Sequence, residues 1–204
     1  MKQLAKRVLV LHSSNDMYGA SRIVLQVIDI LIKAKYEVHV ILPYKGVLNK
    51  IITDKGASCS TCNLGVFRKK YLNLKGLYNR FLKIKKAKNH ISNYIDKHHI
   101  DLLYTSTSVI ISGGLEAKKR RIPNIFHIHE IPTGNKLYEI FIGLFVRCFS
   151  TKVIAVSNSV AKHWRSYLKK TQLIKVYNGI VFPFTKTPNN TKMEIDNKIL
   201  NRHQ

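Results

Sequence analysis

Short apolar runs alternate along this chain with stretches in which apolar residues recur every three or four positions. Arg7–His12 is a compact run of Val and Leu, the pattern of a strand buried on both faces. Ser13–Gly19 is turn chemistry, after which Ile23, Val24, Val27, Ile28, Leu31 and Ile32 predict a helix over about Ala20–Ala34. Glu37–Leu42 reads as a second strand ended by Pro43, Val47–Asp54 as a short helix and Ser58–Leu64 as a third strand. Leu72–His98 is the longest helical candidate, with Leu74, Leu77, Tyr78, Phe81, Leu82, Ile84, Ile91, Tyr94 and Ile95 on its apolar side. The alternation then continues through Asp101–Thr105, Val109–Arg120, Asn124–His129, Lys136–Phe149, Lys152–Val156, Ser159–Lys169 and Leu173–Tyr177.

Strands alternating with helices predict an α/β fold, a single Rossmann-like, doubly wound, mostly parallel sheet with helices on both faces and right-handed crossovers. It is expected to occupy residues 1–181. Pro183, Pro188, Asn189, Asn190 and Thr191 mark a polar linker, so 182–204 is expected to be a tail leading toward a further domain.

Composition narrows the function classes. The 204 residues are 45% hydrophobic, which excludes wholesale disorder. Thirty-five Lys and Arg against eleven Asp and Glu give a net charge of +24, a field that attracts nucleic acid, anionic lipid or phosphorylated substrates without choosing among them. Three cysteines cannot form a disulfide framework and fit a reducing compartment. The basic start leads into an apolar stretch too short for a signal peptide. Ile140–Val146, stopped by Arg147, is too short to span a bilayer.

In such a sheet, ligands bind at the carboxyl ends of the strands, near a reversal of strand order. Four loops qualify. Ser13–Gly19 delivers the amides of Gly19, Ala20 and Ser21 to the cleft, a helix N-terminus suited to a phosphate or a sugar hydroxyl. Phe126-His127-Ile128-His129-Glu130 puts His127 and His129 on one face by strand alternation, with His129 at the strand end. That pair has no third ligand at a metal-binding spacing, so no metal is expected. Val156-Ser157-Asn158-Ser159 offers small polar groups, of which Asn158 or Ser159 can cap a helix. Tyr177-Asn178-Gly179-Ile180 is a sharp turn. Cys59-Ser60-Thr61-Cys62 lacks a second cysteine pair or nearby histidine and reads as inert buried thiols.

Together these loops resemble glycosyltransferase family 4. Tyr18-Gly19-Ala20-Ser21-Arg22 resembles its Gly-Gly-Ala-Glu-Arg type opening. Glu37-Val38-His39-Val40-Ile41, His129-Glu130, Val153-Ile154-Ala155-Val156-Ser157 and Val176-Tyr177-Asn178-Gly179-Ile180 follow in the family's order. The resemblance implies the N-terminal, acceptor-side half of a GT-B fold. It also implies retaining, metal-independent sugar transfer from a nucleotide-sugar, which serves as co-substrate with no further cofactor, and a donor-binding C-terminal half that is absent here or supplied by a separate chain. His129 maps to the reaction centre. Ser13, Tyr18, Gly19, Ala20, Arg22, Glu130, Ser157, Asn178 and Gly179 map to substrate contacts. Tyr18 stands where many members carry the first glycine. The isolated chain is expected to be inactive.

Charge concentrates in one stretch. Arg68, Lys69, Lys70, Lys75, Arg80, Lys83, Lys85, Lys86 and Lys88 share it with Phe67, Tyr71, Leu72, Leu74, Leu77, Tyr78, Phe81 and Leu82. A basic amphipathic segment of this kind fits an anionic membrane surface. The expected setting is therefore cytoplasmic, peripheral on the inner face of the cytoplasmic membrane, with a lipid-linked or polysaccharide acceptor. A non-catalytic acceptor-binding or scaffold subunit is the alternative. Nucleic acid is not expected, since no helix-turn-helix, RNP or zinc module accompanies the charge.

Overall fold

The computed structural model describes residues 6–179. Seven strands, β1 (Arg7–Leu11), β2 (Glu37–Leu42), β3 (Ser58–Thr61), β4 (Leu102–Thr105), β5 (Asn124–Ile128), β6 (Lys152–Ala155) and β7 (Leu173–Lys175), form one sheet. Six α-helices connect them: α1 (Gly19–Lys33), α2 (Val47–Asp54), α3 (Leu74–His98), α4 (Ile111–Arg120), α5 (Lys136–Phe149) and α6 (Asn158–Arg165). All pairings are parallel, in the order β3-β2-β1-β4-β5-β6-β7. The order reverses between β1 and β4, which is where a doubly wound sheet places its ligand crevice. The expected Rossmann-like class is the observed one. The tail expected at 182–204 lies outside the described residues.

Alternation along β1 divides the core. Val8 and Val10 pack with Val24, Ile28, Leu48 and Ile52 of α1 and α2, while Leu9 and Leu11 pack with Ile91, Ile95 and Ala117 of α3 and α4. A third cluster joins Phe126 and Ile128 of β5 to Ile142 and Val146 of α5 and Trp164 of α6. This β-branched sheet is covered on both faces, which is why its strands read as unbroken apolar runs.

Three boundaries differ from the sequence reading for identifiable reasons. The third strand ends at Thr61 because the chain then leaves the sheet as a strap. Ser112 Oγ donates to Leu64 O at 2.9 Å, Phe67 N to Val109 O at 2.9 Å and Tyr138 Oη to Phe67 O at 2.8 Å. The long helix starts later, after a 3-10 turn at Lys69–Tyr71, where Asn73 accepts a cap hydrogen bond from Gly76 N at 2.8 Å. The last helix is shorter and is capped by Ser157, not by Asn158 or Ser159: its Oγ accepts from Val160 N at 3.2 Å.

Helix α3 also departs from its expected apolar side. Ala87, Ile91 and Ile95 are buried, but Leu74, Tyr78 and Phe81 are 88%, 67% and 63% exposed. Only its C-terminal half packs on the sheet. Its first turns lie beside the strap and α5.

Candidate active site at the β1–β4 switch point

Strand register builds the crevice. Val10 pairs with Tyr104, Tyr104 with Ile125, and His127 with Ile154, so the α1 side of the sheet carries these residues in one layer. Continuing the alternation past the strand ends brings His12, Ser106 and His129 to the same side. His12 is buried, with Nδ1 hydrogen-bonded to Ser106 Oγ at 2.6 Å and Nε2 to Ser21 Oγ at 3.0 Å. It therefore clamps the β4 end to the first turn of α1. His127 Nδ1 is hydrogen-bonded to the Tyr104 hydroxyl, and its ring centroid lies 4.4 Å from that of His129.

All three histidines favour the neutral form. Desolvation lowers His12 to about 4 and His127 to about 4, helped in each case by the neighbouring His129. Desolvation also lowers His129, against the pull of the Glu130 carboxylate. The Nε2 atoms of His127 and His129 are buried and have no hydrogen-bond partner among the described residues. In His129, as in His127, the ring thus keeps a hydrogen-bonding capacity that the described residues do not meet.

Glu130, next in the chain, faces the other way. Its Oε1 accepts from Thr107 Oγ1 at 2.6 Å, Ser108 N at 2.6 Å and Ser108 Oγ at 2.7 Å, and its Oε2 from His129 N at 3.2 Å. Its backbone carbonyl accepts from Trp164 Nε1 at 3.2 Å. The carboxylate expected to meet substrate is thus occupied by the protein, and it fixes the β4–α4 turn beside His129.

Gly19 opens α1 without a capping side chain, and nothing lies within 4 Å of where its Cβ would be. Backbone amides at that end are open to an anion. Tyr18 is 73% exposed, Arg22 is exposed, and Ser13 and Ala20 are half-buried along the same loop and turn. Asn178 and Gly179 are exposed beyond β7, at the far edge of the sheet from β3. Ser157 commits its hydroxyl to capping α6.

Sequence reasoning passed over His12, Asn15, Tyr104 and Ser108. Asn15 is buried, donates to Tyr44 O at 2.6 Å and Asn49 Oδ1 at 2.7 Å, and accepts from Leu48 N at 2.7 Å. It ties the β1–α1 loop to the start of α2. Carrying the β1 alternation one residue further would have found His12.

The basic stretch is also sorted. Arg68, Lys69, Lys70, Lys85 and Lys86 are exposed and Lys83 is half-buried. Two members are not free surface. Arg80 is buried, and Lys88 lies 3.6 Å from the buried Glu116 carboxylate of α4. Among the described residues no group of His, Cys, Asp or Glu is arranged to hold a metal, and no helix is long and apolar enough to cross a membrane. Cys59 and Cys62 are half-buried free thiols pushed up by desolvation.

A parallel sheet with a strand-order reversal defines a doubly wound α/β protein, and comparison with known proteins gives the family. The sequence profile of Glycosyltransferase Family 4 matches residues 17–181, and the chain belongs to that family. A search of curated protein sequences returns no match. Among solved structures, Anabaena HepE in complex with UDP-glucose superposes with a TM-score of 0.66 at 17% identity, over 85% of this chain and 44% of that one. A Rickettsia africae glycosyltransferase gives 0.68 at 17% identity, over 87% and 44%. Acinetobacter baumannii MurG gives 0.61 at 15% identity, over 87% and 47%. These likenesses establish the fold, and the chain spans less than half the length of each of these proteins.

Proposed function

We propose that this chain is the acceptor-side half of a glycosyltransferase that moves a sugar from a nucleotide-sugar to a lipid-linked or glycan acceptor, with retention and without a metal. One observation supports this reading above the others. At the switch point, the uncapped amides of α1 accompany a half-buried His129 that desolvation holds toward its neutral form and whose Nε2 has no partner among the described residues. Departure of a nucleoside diphosphate develops negative charge, and amide dipoles held in place stabilise it at no reorganisation cost. His129 contacts the transferring sugar, Glu130 positions it through the Thr107–Ser108 turn, and His12 holds α1 at its distance from β4. Gly19 admits the close backbone approach.

The likeness to HepE, solved with UDP-glucose, supports a UDP-sugar as the donor class. The exposed cations of the 68–86 stretch support an anionic membrane surface at the cytoplasmic face as the working location. The test joins this chain to a donor-binding half, in one polypeptide or two, and follows sugar transfer to an acceptor with and without His129. Transfer that proceeds equally well when His129 is Ala removes the reaction-centre assignment.

A further inference from the structure

An open groove of about 690 Å³ runs between the strap, the first half of α3 and the start of α5. That volume falls in the range of sites for small organic ligands, about 300–1,000 Å³. Its walls are apolar and in part bare: Leu77 is 42%, Phe81 63%, Phe141 48% and Leu137 79% exposed. Phe67 forms its inner end, with its ring centroid 5.5 Å from that of Phe141. So large a contiguous apolar face on a strongly charged protein marks a binding site.

One lining residue contradicts a purely apolar occupant. Arg80 is only 7% exposed, and no carboxylate among the described residues pairs with it. Its guanidinium stacks on Tyr71 at 4.0 Å, reaches Val66 O at 3.5 Å and Asn79 Oδ1 at 2.6 Å, and leaves Nε buried without an acceptor. A buried cation without a counter-ion is costly unless an anion joins it. Arginine's planar fork matches phosphate oxygens. The rim repeats the sign: Arg68, Lys69, Lys70 and Lys75 are exposed, and residues 55–95 contain no Asp or Glu. Lys69 lies directly over Gly134 in the loop between β5 and α5, so the rim reaches the segment that follows His129 and Glu130.

We propose that this groove binds a single-chain lipid phosphate, with its hydrocarbon chain along Leu77, Phe81, Leu137 and Phe141 and its phosphate at Arg80. This names the acceptor class within the function proposed above and rests on that reading. A bilayer surface would cover the apolar rim but leave Arg80 uncompensated. A neutral lipid would do the same.

The experiment titrates the whole chain with dodecyl phosphate and dodecyltrimethylammonium below their micelle concentrations, dodecanol below its solubility limit, and inorganic phosphate. Dodecyl phosphate is expected to bind at least about tenfold more tightly than dodecanol, with no saturable binding of the ammonium compound or of inorganic phosphate. Arg80→Gln should erase the preference for phosphate over alcohol. Phe141→Ser, at a half-exposed position and with an unchanged circular dichroism spectrum as the control for folding, should weaken dodecyl phosphate about tenfold and decides the matter should Arg80→Gln fail to fold. Equal affinity for phosphate and alcohol, or unchanged affinity in Phe141→Ser, overturns the proposal. Binding to phosphatidylglycerol vesicles without uptake of dodecyl phosphate also overturns it, because the groove is then a surface contact. Sugar transfer to a water-soluble glycan alongside such a result would leave the glycosyltransferase reading standing and remove the groove alone.

Discussion

Ser108 gives Glu130 both its backbone N–H and its hydroxyl, at 2.6 and 2.7 Å, on the same carboxylate oxygen. A turn after β4 is thereby locked to the end of β5 by an acid that the sequence places next to the proposed reaction centre. In this structure Glu130 ties the β4–α4 turn to the end of β5.

Glu130→Ala should therefore unfold more easily. Removing the acceptor strands the Thr107 and Ser108 donors, and the expected cost is about 2–4 kcal/mol. Chemical denaturation read by circular dichroism measures it. A variant as stable as the parent would mean that the Thr107–Ser108 turn holds its shape without the acid.

His129 and His127 should separate rate from stability. With the chain joined to a donor-binding half as proposed, His129→Ala is expected to lower turnover about tenfold or more, about 1.4 kcal/mol of transition-state stabilisation, with the melting temperature little changed. His127→Ala strands the buried Tyr104 hydroxyl and should lower the melting temperature more than the rate. Steady-state kinetics paired with thermal unfolding of both variants gives the comparison.

Acid should destabilise the fold well above the carboxylate range. His12 and His127 titrate near 4 in the folded chain against 6.5 unfolded, so below pH 6.5 the unfolded state binds more protons. Their contribution is complete above pH 6.5 and is lost as pH falls toward 4, at up to about 1.4 kcal/mol per pH unit for each group. Denaturation midpoints measured at pH 7, 6, 5 and 4 are expected to fall steadily. The slope should flatten in His12→Asn, which removes one of the two groups.

Lysines of α3 should divide in their effect on membranes. Lys85 and Lys86 are exposed, and replacing both with Gln is expected to weaken binding to phosphatidylglycerol vesicles by about 1 kcal/mol each. Lys88 is half-buried beside Glu116, so Lys88→Gln should leave vesicle binding nearly unchanged and cost about 1 kcal/mol of stability. Co-sedimentation in low and moderate salt tests both.

Gly65 is predicted to resist substitution. Its φ is +65°, and a Cβ there would sit 2.8 Å from the backbone nitrogen of Ile84. Gly65→Ala should cost about 2–4 kcal/mol through strain and displacement of α3 from the strap. Loss of the Arg80 contact to Val66 should accompany it.

Most of the fold was legible because buried parallel strands announce themselves as apolar runs. Glu37–Leu42, Val47–Asp54 and Lys136–Phe149 are found at their predicted bounds. Where the reading slipped, a tertiary contact outweighed the local pattern. The strap leaves the sheet because α4 and α5 hold it, and the first half of α3 keeps its leucines exposed because the sheet does not extend beneath them. At the site, strand alternation put His127 and His129 on one side, but could not reveal that Glu130 turns to Ser108 or that His12 bridges Ser21 and Ser106. Those partners come from elements 9 to 94 residues away.

Trp164 is the only tryptophan in the chain. Its indole is fully buried and donates to the Glu130 carbonyl at 3.2 Å. The molecule thus carries a native optical reporter wired to the strand end that bears His129. Emission should be blue-shifted while that end is ordered and should move to longer wavelength when it opens. Excitation at the indole band gives a label-free signal for whatever enters or loosens the crevice, in a protein whose other aromatic residues are tyrosine and phenylalanine.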